Sequence, residues 1–72
     1  MSEVYKITEK DVENSVCIFQ MVRRYFDLEG SELLNRILKV TTIEDWILSS
    51  AYLLHLNKEE MMDVIREKWK II

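Results

Sequence analysis

Six residues, Leu56 to Met61, fix the local geometry of this chain more tightly than any other stretch. Asn57 can accept a backbone hydrogen bond as an N-cap, and Glu60, three positions on, can answer it. Leu56 and Met61 flank the pair as a hydrophobic staple. A helix therefore starts here, and His55-Leu56-Asn57 becomes a hinge between two amphipathic patterns. Before the hinge, Ile43, Ile47, Ala51 and Leu54 fall within about 80° of one another at 100° per residue, with Trp46, Leu48 and Leu53 widening the stripe. After it, Met61, Met62, Val64, Ile65, Trp69 and Ile72 form a second apolar half-cylinder opposite Asp63, Arg66, Glu67 and Lys70. Glu59 and Glu60 at its start and Lys68 and Lys70 at its end suit the helix macrodipole. The stretch from Thr42 to Ile71 thus predicts a helical hairpin that the rest of the chain covers or extends.

Upstream, Thr8 and Asp11 have capping-box spacing, bracketed by Ile7 and Val12 as a staple, and open a helix predicted over 8–27. Its polar residues Glu13, Gln20, Arg23, Arg24 and Asp27 occupy a band of only about 100° at 3.6 residues per turn. Val12, Val16, Ile18, Phe19, Met21, Val22, Tyr25 and Phe26 fill most of the remainder. A helix apolar over so much of its circumference is expected to be buried on more than one side, as a central helix or by meeting another chain. Gly30, the single glycine, suits a left-handed position just past a helix end, with Ser31 capping the next helix. That helix, 32–40, sets Leu33, Leu34, Ile37, Leu38 and Val40 against Asn35, Arg36 and Lys39. Thr41 with Glu44, or Thr42 with Asp45, restarts the chain for a third helix over 43–55, and the hinge leads into a fourth over 58–71. Val4 and Lys6 alternate with Tyr5 and Ile7, and one lone strand cannot form a sheet, so 1–7 is expected to be an extended arm. The fold class is all-α: one domain over 1–72, a compact bundle of about four helices with short connections.

Composition then constrains function. A 72-residue chain leaves roughly 40% of its unfolded surface exposed after folding, yet 49% of this one is hydrophobic. The surplus calls for a partner or a second copy. A net charge of −3 disfavours a general phosphate-backbone binder, whose affinity rests on released counterions. No apolar run reaches the roughly 18 residues of a membrane span, and no charged leader precedes an apolar core. The lone Cys17 cannot form an internal disulfide, so a reducing, cytoplasmic setting is expected.

Two segments resemble known families. Ala51 to Val64 resembles the helix-turn-helix of DNA-binding transcriptional regulators: Ala51 stands at the small contact position, Leu54 and Leu56 flank the turn, and Asn57, Met61 and Val64 sit where the second helix begins and packs. His55 replaces the glycine common in that turn. The helix that would read bases opens Lys58, Glu59, Glu60 and continues to Asp63, carboxylates that phosphates repel. Glu29 with Glu32, and Glu60 with Asp63, have a spacing that looks like the magnesium-binding pattern of the all-helical nucleoside triphosphate pyrophosphatases, in which carboxylates from two helices hold magnesium against phosphates. In that family both pairs lie inside helices, whereas here Gly30 and Ser31 interrupt the first.

Cys17 and His55 lack a third ligand spaced to join them. Cys17 reads as a half-buried packing residue, and His55 as a helix C-terminal residue near the last carbonyls. Arg23, Arg24 and Tyr25 form the one local basic cluster, and Met21, Met61 and Met62 suit either core filling or an adaptable surface. No catalytic residue, metal ligand or cofactor is expected. The expectation is a non-enzymatic regulatory or inhibitory module that binds another protein through an apolar helix face and self-associates as a homodimer. Val16, Phe19, Tyr25 and Phe26 would make the apolar contact, with Arg23 and Arg24 orienting it at the rim.

Overall fold

Capping chemistry sets where the chain turns helical. In the computed structural model, which describes residues 6–72, four helices follow one another and the described residues include no strand. They are α1 (Glu9–Tyr25), α2 (Gly30–Val40), α3 (Ile43–Leu53) and α4 (Lys58–Asp63), the last continuing as a π turn over Val64–Lys68. Val4 and Tyr5 of the expected arm lie outside the described residues.

Three of the four starts carry a side-chain cap. Thr8 Oγ1 accepts from the Asp11 N–H at 3.2 Å while Asp11 Oδ2 accepts from the Thr8 N–H at 3.0 Å, closing the capping box of α1. Asn57 and Glu60 close a second box at the start of α4, with the Glu60 N–H donating to Asn57 Oδ1 at 2.8 Å. Of the two threonines available to α3, Thr42 serves, accepting from the Asp45 N–H at 3.1 Å. α2 is the exception. Its N-cap is Glu29, whose side chain makes no capping bond, and Ser31 lies inside the helix instead of capping it.

The end of α1 corrects the expectation for Gly30. The Leu28 N–H donates to the Arg23 carbonyl at 2.9 Å and the Asp27 N–H to that of Arg24 at 3.3 Å, the paired bonds of a Schellman turn. The residue that must turn left-handed is then Asp27, with φ of 54°, while Gly30 has no positive φ and opens α2 as an ordinary helical residue. Aspartate tolerates this region better than most side chains. Helix α1 accordingly stops at Tyr25 and not at 27, and α2 starts two residues earlier than predicted.

The buried face of α3 also differs from the predicted stripe. Trp46, Ser50 and Leu53 are buried, whereas Ile43 and Leu54 are exposed and Ile47 and Ala51 are half-buried. Burial follows the large indole at Trp46, and it draws in a serine that a hydrophobicity count places outside. The Ser50 hydroxyl donates to the Trp46 carbonyl at 2.9 Å, so it needs no water. On α1, Ser15 is buried in the same manner and donates to the Val12 carbonyl at 2.7 Å. Small side chains let backbones approach, and among the described residues α1 and α3 are the two helices in the most extensive contact. The pair the bundle is built around is therefore α1 with α3, and not the expected hairpin of α3 with α4.

The core joins Ile18 and Val22 of α1, Leu33 and Ile37 of α2, Trp46 and Leu53 of α3, and Met61, Met62, Val64 and Ile65 further on. At about 1.5–3 kcal/mol for each large side chain fully withdrawn from water, this cluster is the main force holding the bundle. The α4 stripe is buried as predicted, except that Trp69 and Ile72 are only partly covered. The helical run ends at Lys68, short of 71. The Trp69 N–H reaches the Val64 carbonyl at 2.8 Å and the Ile71 N–H that of Ile65 at 3.0 Å, and the outer of these bonds spans one residue more than the Leu28–Arg23 bond that closes α1. Lys70 takes the left-handed position at φ 55°, which swings Ile71 back into the core.

Candidate functional site

The residues expected to form a contact on α1 divide between its sides. Val16 is 54% exposed and Tyr25 48%, yet they stand nine positions apart, which at 100° per residue is about half a circumference. Phe19 and Phe26 are partly buried and pack on the core. Arg23 folds back over the end of its own helix, its Nε donating to Gln20 Oε1 at 3.1 Å and its guanidinium reaching the Leu28 carbonyl at 3.5 Å. Arg24 is exposed and, with Met21, Tyr25 and Lys58, lines a shallow cleft. There the Lys58 ammonium lies 5.6 Å from the Tyr25 ring centre, and Phe26 meets Tyr25 edge-on at 4.9 Å. Tyr25 is thus tied to the α4 side of the bundle, away from Val16.

Val16 has other company. With Val12 and Phe19 it forms a row along α1, spaced by four and then three residues, in which Val12 and Val16 are exposed and Phe19 is half-covered. On α2, Gly30, Leu34 and Leu38 form a second row at fourfold spacing, and Leu34 and Leu38 are exposed. The rows meet at Gly30, where an added β-carbon would stand 3.9 Å from both Phe19 Cε1 and Arg23 Cδ. Sequence reading grouped Leu34 and Leu38 with Leu33 and Ile37 on one apolar side; only the latter two are buried. The unequal burial was not legible because all four are equally apolar.

A second concavity lies on the other flank of α2, between that helix and the turn that returns Ile71 to the core. One end is a cavity of about 340 Å³ bounded by Trp46 and Trp69, whose rings meet edge-on at 6.2 Å, together with Ser49 and Lys68. The other end, about 520 Å³, is bounded by Arg36, Lys39 and Lys70. Val40 and Ile71 border both, making one continuous groove.

The carboxylates singled out for magnesium each have another position in the structure. Glu32 pairs with Arg36 at 3.2 Å, Asp63 with Arg66 at 3.4 Å, Glu60 closes the α4 capping box, and Glu29 is the N-cap of α2. Among the described residues no group of three or more His, Cys, Asp or Glu side chains is arranged to hold a metal ion. Cys17 is exposed and not half-buried, because it projects about 100° behind Ile18, outside the arc that Ile18, Val22 and Ser15 bury. His55 is exposed, and its backbone N–H donates to the Tyr52 carbonyl at 3.1 Å. Within the helix-turn-helix-like segment, Met61 and Val64 are buried while Glu59, Glu60, Asp63 and Glu67 line the outer side of the second helix.

The chain matches no family, no curated protein and no solved structure. Among the described residues no helix is long and apolar enough to cross a membrane.

Proposed function

We propose that this chain is a non-enzymatic regulatory or inhibitory module that works by binding protein, and that its apolar contact is with a second copy of itself. The supporting observation is the pair of exposed rows, Val12 and Val16 on α1 and Leu34 and Leu38 on α2, converging where Phe19 packs over Gly30. Scattered apolar residues on a surface need no explanation, but two exposed rows on consecutive helices that meet at Phe19 and Gly30 leave apolar area that water penalises at about 25 cal/mol per Å². A twofold arrangement sets such a patch against its own image. The reading keeps Val16 and Phe19 from the residues expected on sequence grounds and replaces Tyr25 and Phe26 with Leu34 and Leu38.

Sedimentation velocity over a range of concentrations tests it. The expected result is a weight-average coefficient that rises with concentration, and a Val16→Glu, Leu38→Glu double variant that stays at the monomer value with unchanged helical circular dichroism. Both positions are exposed, so the charges do not enter the core. A wild-type chain that sediments as a monomer throughout overturns the reading.

A further inference from the structure

We propose that the groove between α2 and the C-terminal turn binds an acidic, apolar peptide segment of a protein partner. The groove is separate from the apolar rows, and the proposal holds whether or not two copies pair. Its charge sets it apart from the rest of the surface. In a chain of net charge −3, the groove's side chains supply four cations, Arg36, Lys39, Lys68 and Lys70, against the single carboxylate of Glu32, which Arg36 already holds at 3.2 Å. The three lysines are exposed, and among the described residues they make no ion pair. Between them the lining is mixed: Asn35, Thr41 and Ser49 are polar, while Val40 and Ile71 run along the length and Trp69 stands at the far end as apolar contacts. An aliphatic side chain can displace water from the tryptophan end while carboxylates beside it meet the lysine ammoniums, which adds orientation and speeds encounter.

A nucleic acid offers phosphates to the same lysines but fits the lining poorly. Single strands gain affinity by stacking bases on open aromatic faces. Here Trp46 is 5% exposed and Trp69 lies edge-on against it, so no open ring pair faces the groove. The acidic remainder of the chain also repels a long polyanion. A peptide with a few carboxylates meets only the local charge.

The chain's two tryptophans both border the groove, so intrinsic fluorescence reports its occupancy directly. The test titrates the full chain with a short tryptophan-free peptide alternating glutamate and leucine, with its lysine-leucine counterpart, and with a single-stranded oligonucleotide. The expected result is a saturable emission shift with the glutamate peptide alone. In a Lys39→Glu, Lys68→Glu variant that retains its circular dichroism, affinity for the glutamate peptide should fall about tenfold or more and the lysine peptide should begin to bind. No shift with the glutamate peptide, an equal response to the oligonucleotide, or a shift indifferent to the charge reversal overturns the proposal.

Discussion

The bundle buries its two sides with different chemistry. On α1 and α3, the two helices in the most extensive contact among the described residues, Ser15 and Ser50 are buried, and each hydroxyl is satisfied by a carbonyl of its own helix. On the α4 side the filling comes from Met61 and Met62, buried at 2% and 1% exposure, on a helix that loosens into a π turn after Asp63. The first side is filled in part by small buried side chains with little room to grow, and the second by flexible side chains that adapt to the available space. The ends repeat the contrast. α1 closes with an ordinary Schellman turn at Asp27, and the C-terminal run needs one extra residue before Lys70 can return Ile71 to the core.

Truncation and enlargement should separate the two sides. Met62→Ala removes most of a fully buried side chain and should cost about 2–5 kcal/mol in chemical denaturation, a large share of the stability of so short a chain. Met62→Leu, which nearly keeps the volume, should cost less than about 1.5 kcal/mol. At the tight side the sensitivity is to added volume. Ser50→Leu should cost roughly 1–3 kcal/mol through overpacking, although leucine is the more hydrophobic residue. Ser50→Ala should cost less than about 1 kcal/mol, because the lost hydroxyl bond is offset by alanine's helix propensity. If Ser50→Leu stabilises the fold, or Met62→Leu costs more than Ser50→Leu, the contrast between a tight side and an adaptable side is broken.

The smallest expected effects concern the end of α1. Gly30→Ala should stabilise by about 0.4–1 kcal/mol, since the position is helical and an added β-carbon meets only ordinary contacts at 3.9 Å. Asp27→Ala should destabilise by about 1 kcal/mol, because alanine tolerates the left-handed region less well. Thermal unfolding of the two variants decides the matter by sign. The opposite pair of signs would mean that Gly30 takes the left-handed position after all.

The caps were legible because they depend on residues three apart in the chain. Thr8 with Asp11, Thr42 with Asp45 and Asn57 with Glu60 act in the structure as their spacing indicated. The candidate contact surface was legible only in part. Periodicity marks Val16, Phe19, Leu34 and Leu38 as apolar, but a helical wheel does not say which part of a wide stripe the core takes. On α3 the choice went to Trp46, Ser50 and Leu53, and Ile43 and Leu54 were left outside. The groove was not legible at all, because Lys39 and Lys70 are thirty-one positions apart in the chain and share it only through the return of the C-terminal turn.

By itself, then, the sequence determined the all-α class, the starts of α1, α3 and α4 and the excess of apolar residues, since these follow from interactions within one helical turn and from composition. The tertiary structure decided which apolar residues are hidden, which residue turns left-handed after α1, and where the cations gather. Those outcomes depend on competition among helices for a limited interior, and that competition is resolved only when all the helices are in place.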